Sequence, residues 1–326
     1  MTVDALILKT LRSALGTFVS GAELAGRLKI SRAAIWSHIE ELRKLGYDIE
    51  ASPHLGYRLK NSPDILLGDD LISRLTGVKI IGREIQVFQE TTSTNDIIEK
   101  MAIDGVFEGV VIFAESQTRG RGRLGRSWHS SARKGLWFSI LLRPSLHPRA
   151  SMQITIAAAT AIRNAICNLT KLPALIKWPN DIVINGKKAA GILNEISAET
   201  ERIKYSILGI GINVNHDISD FPGEIKNIAT SIKIEKGESV SRAELAIAVL
   251  EELDKYYQKI LNKDFQTIAD EWTHYCATIG KNVTIRLPDR VVQGRAESLD
   301  SDGCLLVRKT HGHLERIVGG DVTLEK

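Results

Sequence analysis

Residues Arg119-Gly120-Arg121-Gly122-Arg123-Leu124-Gly125-Arg126 interleave four arginines with three glycines, and Trp128 follows at once. Glycine removes side-chain bulk, so backbone amides can approach a ligand closely, while each arginine brings a fixed charge and a bidentate fork. Such a loop suits an anionic small molecule. Its surroundings strengthen the point: no acidic residue stands between Glu115 and Asp181, whereas Arg119, Arg121, Arg123, Arg126, Arg133, Lys134, Arg143, Arg149, Arg163, Lys171 and Lys177 all do. A chain with 43 basic and 39 acidic residues has no reason to segregate charge in this way by composition alone.

Gly120-x-Gly122-x-x-Gly125 also satisfies the spacing of the dinucleotide fingerprint. The stretch before it, 109–114, reads as a strand. After it comes a loop, Ser127-Trp128-His129-Ser130-Ser131, and then a further strand pattern at 136–142. No helix opens on the third glycine, no acidic residue stands roughly 20 positions on to hold a ribose, and the Gly-Lys-Ser/Thr ending of a P-loop is missing. A solvated basic loop without a ligand is the bland alternative.

Four further clusters share the same region. Thr91-Thr92-Ser93-Thr94-Asn95-Asp96 follows a strand and opens a helix, where amides and hydroxyls can meet a polar ring or an anion, although an ordinary helix cap has the same composition. Lys177-Trp178-Pro179-Asn180-Asp181 gathers a cation, an amide and a carboxylate in a turn closed by proline. Lys187-Lys188-Ala189-Ala190-Gly191-Ile192-Leu193 follows an Asn185-Gly186 hairpin signal, so strand alternation turns one lysine inward. Gly209-Ile210-Gly211-Ile212-Asn213 puts two glycines on one strand face, against which a flat ligand can lie. No nucleophile–base pair is evident, because His129 and Cys167 stand alone.

The elements that must position these residues fall into three regions of a 326-residue chain. Residues 1–62 read as a winged helix-turn-helix. Leu8, Leu11 and Leu15 recur at helical spacing, Ser20 and Glu23 form a capping-box pair, Ser31 caps a third helix, and Gly46 ends it. Two short strands around a turn at 53–56 make the wing. Ser31, Arg32, Ala33, Trp36 and Ser37 lie off the buried stripe at the start of the third helix, where recognition helices meet base edges. DNA is the expected partner of this face; a charged protein-interaction module is the alternative. Residues 61–70 read as a linker into the second region, 66–276. Here strands at 84–89, 109–115, 136–142, 174–177, 181–185, 189–197 and 203–215 mix with helices at 95–103, 150–170, 241–262 and 265–276. That pattern argues α+β, a mixed sheet with helices on one face. Residues 277–326 change to short alternating strands, four of them between 283 and 318, punctuated by Pro288-Asp289, Asp302-Gly303, His311-Gly312 and Gly319-Gly320. They predict a small β-barrel.

Composition sets the outer limits. Apolar content of 43% and charged content of 25% are those of a soluble globular protein, and a net charge of +4 does not by itself indicate nucleic acid. Three scattered cysteines with no C-x-x-C favour a reducing compartment. No apolar run approaches the ~20 residues of a bilayer span, and the N-terminus lacks a signal-peptide pattern, so a cytoplasmic protein without membrane attachment is expected.

In combination and order these motifs resemble the biotin–protein ligases, in particular the two-function bacterial class that is also the biotin operon repressor. The similarity runs over essentially the whole chain. It implies a biotin/lipoate ligase-like central sheet, an SH3-like C-terminal barrel, biotin and ATP as substrates, and Mg²⁺ accompanying ATP near Asp181 with no metal site made by protein ligands alone. The implied reaction makes biotinyl-5′-AMP and passes biotin to a lysine of a biotin carboxyl carrier domain, such as that of acetyl-CoA carboxylase. Carried over by position, Ser93, Thr94, Asn95, Gln117, Gly120, Arg121, Gly122, Gly191, Gly209 and Gly211 would hold biotin, and Arg123 and Lys188 would both bind it and act catalytically. Arg123, Arg126, Trp128, Lys177, Asn180, Asp181 and Asn213 would meet ATP or the adenylate, Trp128 as a stacking surface for adenine. The resemblance further implies an adenylate-bound homodimer on operator DNA of biotin synthesis and transport genes. The segment His129 to Gly135 is more basic than the family pattern, which bears on packing at the adenine side. Lipoate ligases and octanoyltransferases share the fold but lack the Gly/Arg run beside Lys-Trp-Pro-Asn-Asp. A sensing repressor without catalysis would need neither Arg123 nor Lys188.

Overall fold

The computed structural model describes residues 2–324. At the N-terminus, α1 (Val3–Ser13), α2 (Gly21–Leu28) and α3 (Arg32–Lys44) close around Ile7, Leu8, Leu11, Leu24, Ile35 and Ile39. The expected caps form: Ser20 Oγ accepts from Glu23 N–H at 3.0 Å and Ser31 Oγ from Ala34 N–H at 3.1 Å. Lys29 takes a left-handed conformation in the turn between α2 and α3. The wing is an antiparallel pair, β1 (Asp48–Ser52) and β2 (Gly56–Asn61). Gly56, at φ +104°, approaches the Val19 carbonyl so closely that a Cβ would overlap it. Ser31, Arg32, Ala33, Trp36 and Ser37 are all exposed, with Trp36 58% accessible. Arg43 is turned back to the Ile49 carbonyl.

The linker expected at 61–70 is shorter than its composition suggested. Gly68 opens α4 (Gly68–Arg74), and Asp70, only 1% accessible, is gripped by Arg12 of α1 and Arg74 of its own helix. Charge pairing across elements overrode the turn-like Gly-Asp-Asp composition, and the pairing is invisible along the chain.

The central sheet has seven strands in the order β3-β4-β5-β9-β8-β7-β6. In chain order they are β3 (Glu84–Phe88), β4 (Val110–Ala114), β5 (Gly135–Leu142), β6 (Leu175–Lys177), β7 (Asp181–Ile184), β8 (Lys187–Ala198) and β9 (Ile203–Asn213). Only β3 and β4 pair in parallel. α5 (Thr94–Ile103) and α6 (Met152–Thr170) are followed by a short α7 (Ile232–Lys236) that sequence patterning did not reveal, then by α8 (Arg242–Leu261) and α9 (Phe265–Tyr275). The long helices α6, α8 and α9 cover one face in a single core with Phe113, Phe138, Ile140, Leu208 and Ile210. Alanines 157, 158, 161 and 165 of α6 are buried there and bring that helix close to the sheet. Helices are not confined to that face: α5 packs on the opposite one through Ile98 and Ala102 against Val110, Ile112, Leu141 and Ile207. It covers only part of that side. The rest stays open for the site.

At the C-terminus β10 (Asn282–Arg286), β11 (Val291–Leu299), β12 (Leu305–Arg308), β13 (Leu314–Ile317) and β14 (Asp321–Leu324) form an antiparallel sheet ordered β13-β12-β11-β10-β14. Its strand β14 was not anticipated, because Gly319-Gly320 reads as a terminating turn. It pairs with β10, far back in sequence. No helix among the described residues is long and apolar enough to cross a membrane.

Candidate active site

The floor of the site is glycine backbone on which side chains are seated. Gly191 of β8 and Gly211 of β9 are cross-strand partners, and Trp128 lies over both. A Cβ at Gly191 would stand 2.7 Å from the indole, and one at Gly211 would overlap it. Two registers up β9, Gly209 leaves the space that the Asn95 amide fills. The glycines of β9 share one strand face, as their alternation implied, but Trp128 and Asn95 lie against them in place of a flat ligand. Gly211→Val is expected to displace Trp128 and lower adenylate formation at least ~10-fold, since a rigid ring cannot yield to added methyls without strain. Shifted tryptophan fluorescence with slower pyrophosphate release would mark it.

One wall is the N-terminus of α5. Ser93, the residue before the helix, is buried and makes no side-chain cap bond, so the ordinary-cap reading does not hold here. Instead Gln117 Oε1 accepts from the Thr94 N–H at 2.9 Å and from its hydroxyl at 3.2 Å. Thr94 Oγ1 also meets Ser139 Oγ at 2.6 Å, Ser139 donates to Asn95 Oδ1, and Gln117 Nε2 donates to Ser130 Oγ at 2.9 Å. Buried hydroxyls and amides that satisfy one another are rigid, which presets their remaining donors and acceptors.

The opposite wall comes from the β6–β7 turn and from β8. Asn185 and Gly186 both take positive φ, the geometry of a two-residue hairpin. That turn leaves Lys187 exposed and carries Lys188 into the cavity. Lys188 Nζ lies 2.6 Å from Asp181 Oδ1 and 5.1 Å from the centre of the Trp128 ring. Asn180 Nδ2 donates to the Ile192 carbonyl at 2.6 Å.

The Gly/Arg run forms a tight flap across the top. Trp128 N–H donates to the Gly120 carbonyl at 2.8 Å and Gly122 N–H to that of Arg126 at 2.7 Å. Each of its inner arginines reaches a different element. Arg121 pairs with Asp96 of α5 and with Glu195 of β8. Arg123 Nη1 donates to Asn180 Oδ1 at 3.0 Å, and Arg126 pairs with Asp321 of β14. Burial lowers the affinity of the Arg123 guanidinium for its proton, against the fields of Asp181 and Asp321. An arginine remains charged regardless.

These walls enclose a cavity of 390 Å³. It is lined by Ser93, Thr94, Asn95, Gln117, Arg121, Gly122, Arg123, Arg126, Trp128, Lys177, Asn180, Asp181, Lys188, Gly191, Gly209 and Gly211, as grouped from sequence. Two expected contacts lie outside the lining. Gly120 is buried beneath the flap, where a Cβ would crowd the Trp128 carbonyl, and Asn213 ties the end of β9 to the Thr230 carbonyl at 3.0 Å. Sequence reasoning missed Arg286, Gly320, Asp321, Val322 and Thr323, which bring the C-terminal sheet to the rim. Nothing local marks them as partners of a loop so distant in sequence.

Residues 5–58 match an HTH domain, 87–213 the Biotin/lipoate A/B protein ligase family, and 278–324 the Biotin protein ligase C terminal domain. The chain is 38% identical to the bifunctional ligase/repressor BirA of Bacillus subtilis, over 94% of both chains. It belongs to the biotin–protein ligase family, in the bifunctional ligase/repressor class. This ligase is also 27% identical to the bifunctional ligase/repressor BirA of Escherichia coli, over 95% of this chain and 94% of that one. Among solved structures it resembles the biotin protein ligase from Aquifex aeolicus in complex with biotin and ATP, at 30% identity and a TM-score of 0.64, covering 75% of this chain and 99% of that one. This ligase therefore carries a DNA-binding module in front of an ATP-dependent biotin ligase.

Proposed function

We propose that this ligase activates biotin with ATP and transfers it to a carrier lysine, using the residues gathered in the 390 Å³ cavity. The biotin carboxylate attacks the α-phosphorus, pyrophosphate leaves, and biotinyl-5′-AMP forms. A lysine ε-amine of a biotin carboxyl carrier domain then attacks the carbonyl carbon, forming an amide and releasing AMP and a proton. Repulsion between two anions is the main obstacle to the first step, so fixed positive charge at the meeting point is the main remedy. Lys188 and Arg123 supply it. Ser93, Thr94, Asn95 and Gln117 hold the ureido ring, Trp128 stacks on adenine, and the flap keeps water from the mixed anhydride.

The observation that carries this reading is the convergence of Lys188, Arg123 and the Thr94–Gln117–Ser139 network on one cavity, beside a Trp128 seated on glycine backbone. Mg²⁺ fits as a companion of ATP. Among the described residues no group of three His, Cys, Asp or Glu side chains could hold a metal ion, and Asp181 and Asp321 are the acidic side chains lining the cavity. Asp181 would share a metal whose other ligands are phosphate oxygens, and that metal supplies charge neutralisation when bound. Labelling of a carrier domain with radiolabelled biotin and ATP tests the reaction; absence of carrier label would end it.

The exposed start of α3 would read the operator, with biotinyl-5′-AMP as corepressor and a homodimer spanning two half-sites. Arg32→Ala is expected to weaken operator binding at least ~10-fold, a charge-assisted contact being worth about 1.5–3 kcal/mol. Gel shifts check this, with unchanged carrier labelling as the internal control. Sedimentation with and without biotin plus ATP tests the dimer, and an unchanged mass would refute a ligand-driven assembly.

A further inference from the structure

Arg242 is the first residue of α8, and only 1% of it is accessible. A guanidinium is the wrong charge for the positive end of a helix and costly to bury, so its placement answers to something other than α8 itself. Its partners identify that something. Nη1 and Nη2 both donate to the Glu115 carboxylate, and Nη1 also lies 3.5 Å from the Gly135 carbonyl. Glu115 directly follows β4 and Gly135 begins β5, so they are the two stems of the loop that carries the flap. Arg133 N–H closes the same neck on the Glu115 carbonyl at 3.2 Å. The remaining contacts go to Asp64, behind the wing: Nη2 donates to its carbonyl at 3.0 Å, and the Arg242 N–H to its carboxylate at 2.8 Å.

We propose that Arg242 is a positioning residue for the ligase reaction, a buried clamp that fixes both stems of the Gly/Arg flap and thereby sets how long the activated acyl-adenylate is held. It does not line the cavity and acts only through Glu115 and Gly135. Only a planar fork with several donors can span two stems and the segment behind the wing together; an ammonium cannot. The flap arginines reach their partners from a neck that the β4–β5 ladder and the Arg133–Glu115 bond close and that Arg242 braces from behind. The inference rests on the ligase reading above.

Two variants test it. Arg242→Lys keeps the charge that neutralises Glu115, and Glu115→Gln/Arg242→Gln removes both charges together, so neither leaves a lone buried ion. At a temperature well below melting, both are expected to release biotinyl-5′-AMP at least ~10-fold faster than wild type, with the affinity arithmetic of one lost bidentate contact. Trypsin is expected to cleave within 119–126 faster by a similar factor, in unliganded protein as well, while cleavage elsewhere keeps its wild-type rate. A merely structural role would lower the melting temperature and leave both rates unchanged at the working temperature. Wild-type release and wild-type flap cleavage in the folded variants would overturn the clamp. A wild-type protein that made no adenylate would overturn the ligase reading instead, and the trypsin comparison on unliganded protein would still decide the role of Arg242.

Discussion

Replacing Arg123 with glycine is expected to speed biotinyl-5′-AMP release on the order of 100-fold, through loss of a charge-assisted contact worth about 1.5–3 kcal/mol. Arg123 is the flap arginine that reaches the Asn180–Asp181 wall, donating to Asn180 and feeling the field of Asp181. Removing it frees the flap on that side and removes positive charge from the adenylate phosphate. Escaped adenylate acylates any exposed amine, so bystander proteins should gain biotin. A streptavidin blot of an added bystander protein reports this directly, and retention of adenylate through gel filtration gives the rate. Arg123→Lys should fall between, since it keeps the charge but not the fork. A glycine variant that keeps its adenylate as long as wild type and labels only the carrier would remove Arg123 from this role.

Lys188→Met is expected to act on the other half-reaction, lowering kcat/KM for adenylate formation by roughly 10²- to 10³-fold, the scale for deleting one preorganised group that meets developing charge. Methionine preserves length and packing over Trp128 while removing the cation 5.1 Å from that ring. It also leaves Asp181 without its 2.6 Å partner, which adds negative charge where phosphates must enter. Asp181→Asn in the same background separates the two roles of that carboxylate: partial recovery marks the unpaired charge as the cause, and a further loss marks its share in the metal. Pyrophosphate release measures both. Activity within threefold of wild type in Lys188→Met would show that the charge is supplied elsewhere.

The two variants separate because the two cations sit on different supports. Lys188 is borne by a sheet strand next to the Asn185–Gly186 turn, whereas Arg123 is borne by a loop closed by its own backbone bonds and tethered to the walls by its arginines. Loss of the first should slow chemistry, and loss of the second should shorten retention.

Most of the site was legible along the chain because its parts obey local rules. Ser31 and Ser20 cap helices by a contact three residues away. The two-residue hairpin sets Lys188 opposite Val183, and that much follows from the turn; that Gly191, three residues on, shares the cavity needs the bulge in β8 opposite Ile182–Val183. Gly209 and Gly211 share a face because strands alternate. What was missed depends on partners far apart in sequence. The buried Asp70 turned a presumed linker into part of α4, because Arg12 from another helix arrives to neutralise it. β14 exists because β10 offers it a ladder, and through it Asp321 reaches Arg126.

The sequence by itself determined which groups are on hand for chemistry: a lysine, a run of arginines and glycines, a polar cap and paired strand glycines, in an order that resembles the biotin–protein ligases. Only the tertiary structure decided which of those groups touch the cavity, that Gly120 and Asn213 stand outside its lining, and that the C-terminal sheet completes the rim. The division is physical. Spacing and propensity act over a few residues, whereas ion pairs such as Arg126–Asp321 and Arg242–Glu115 join residues that only folding brings together.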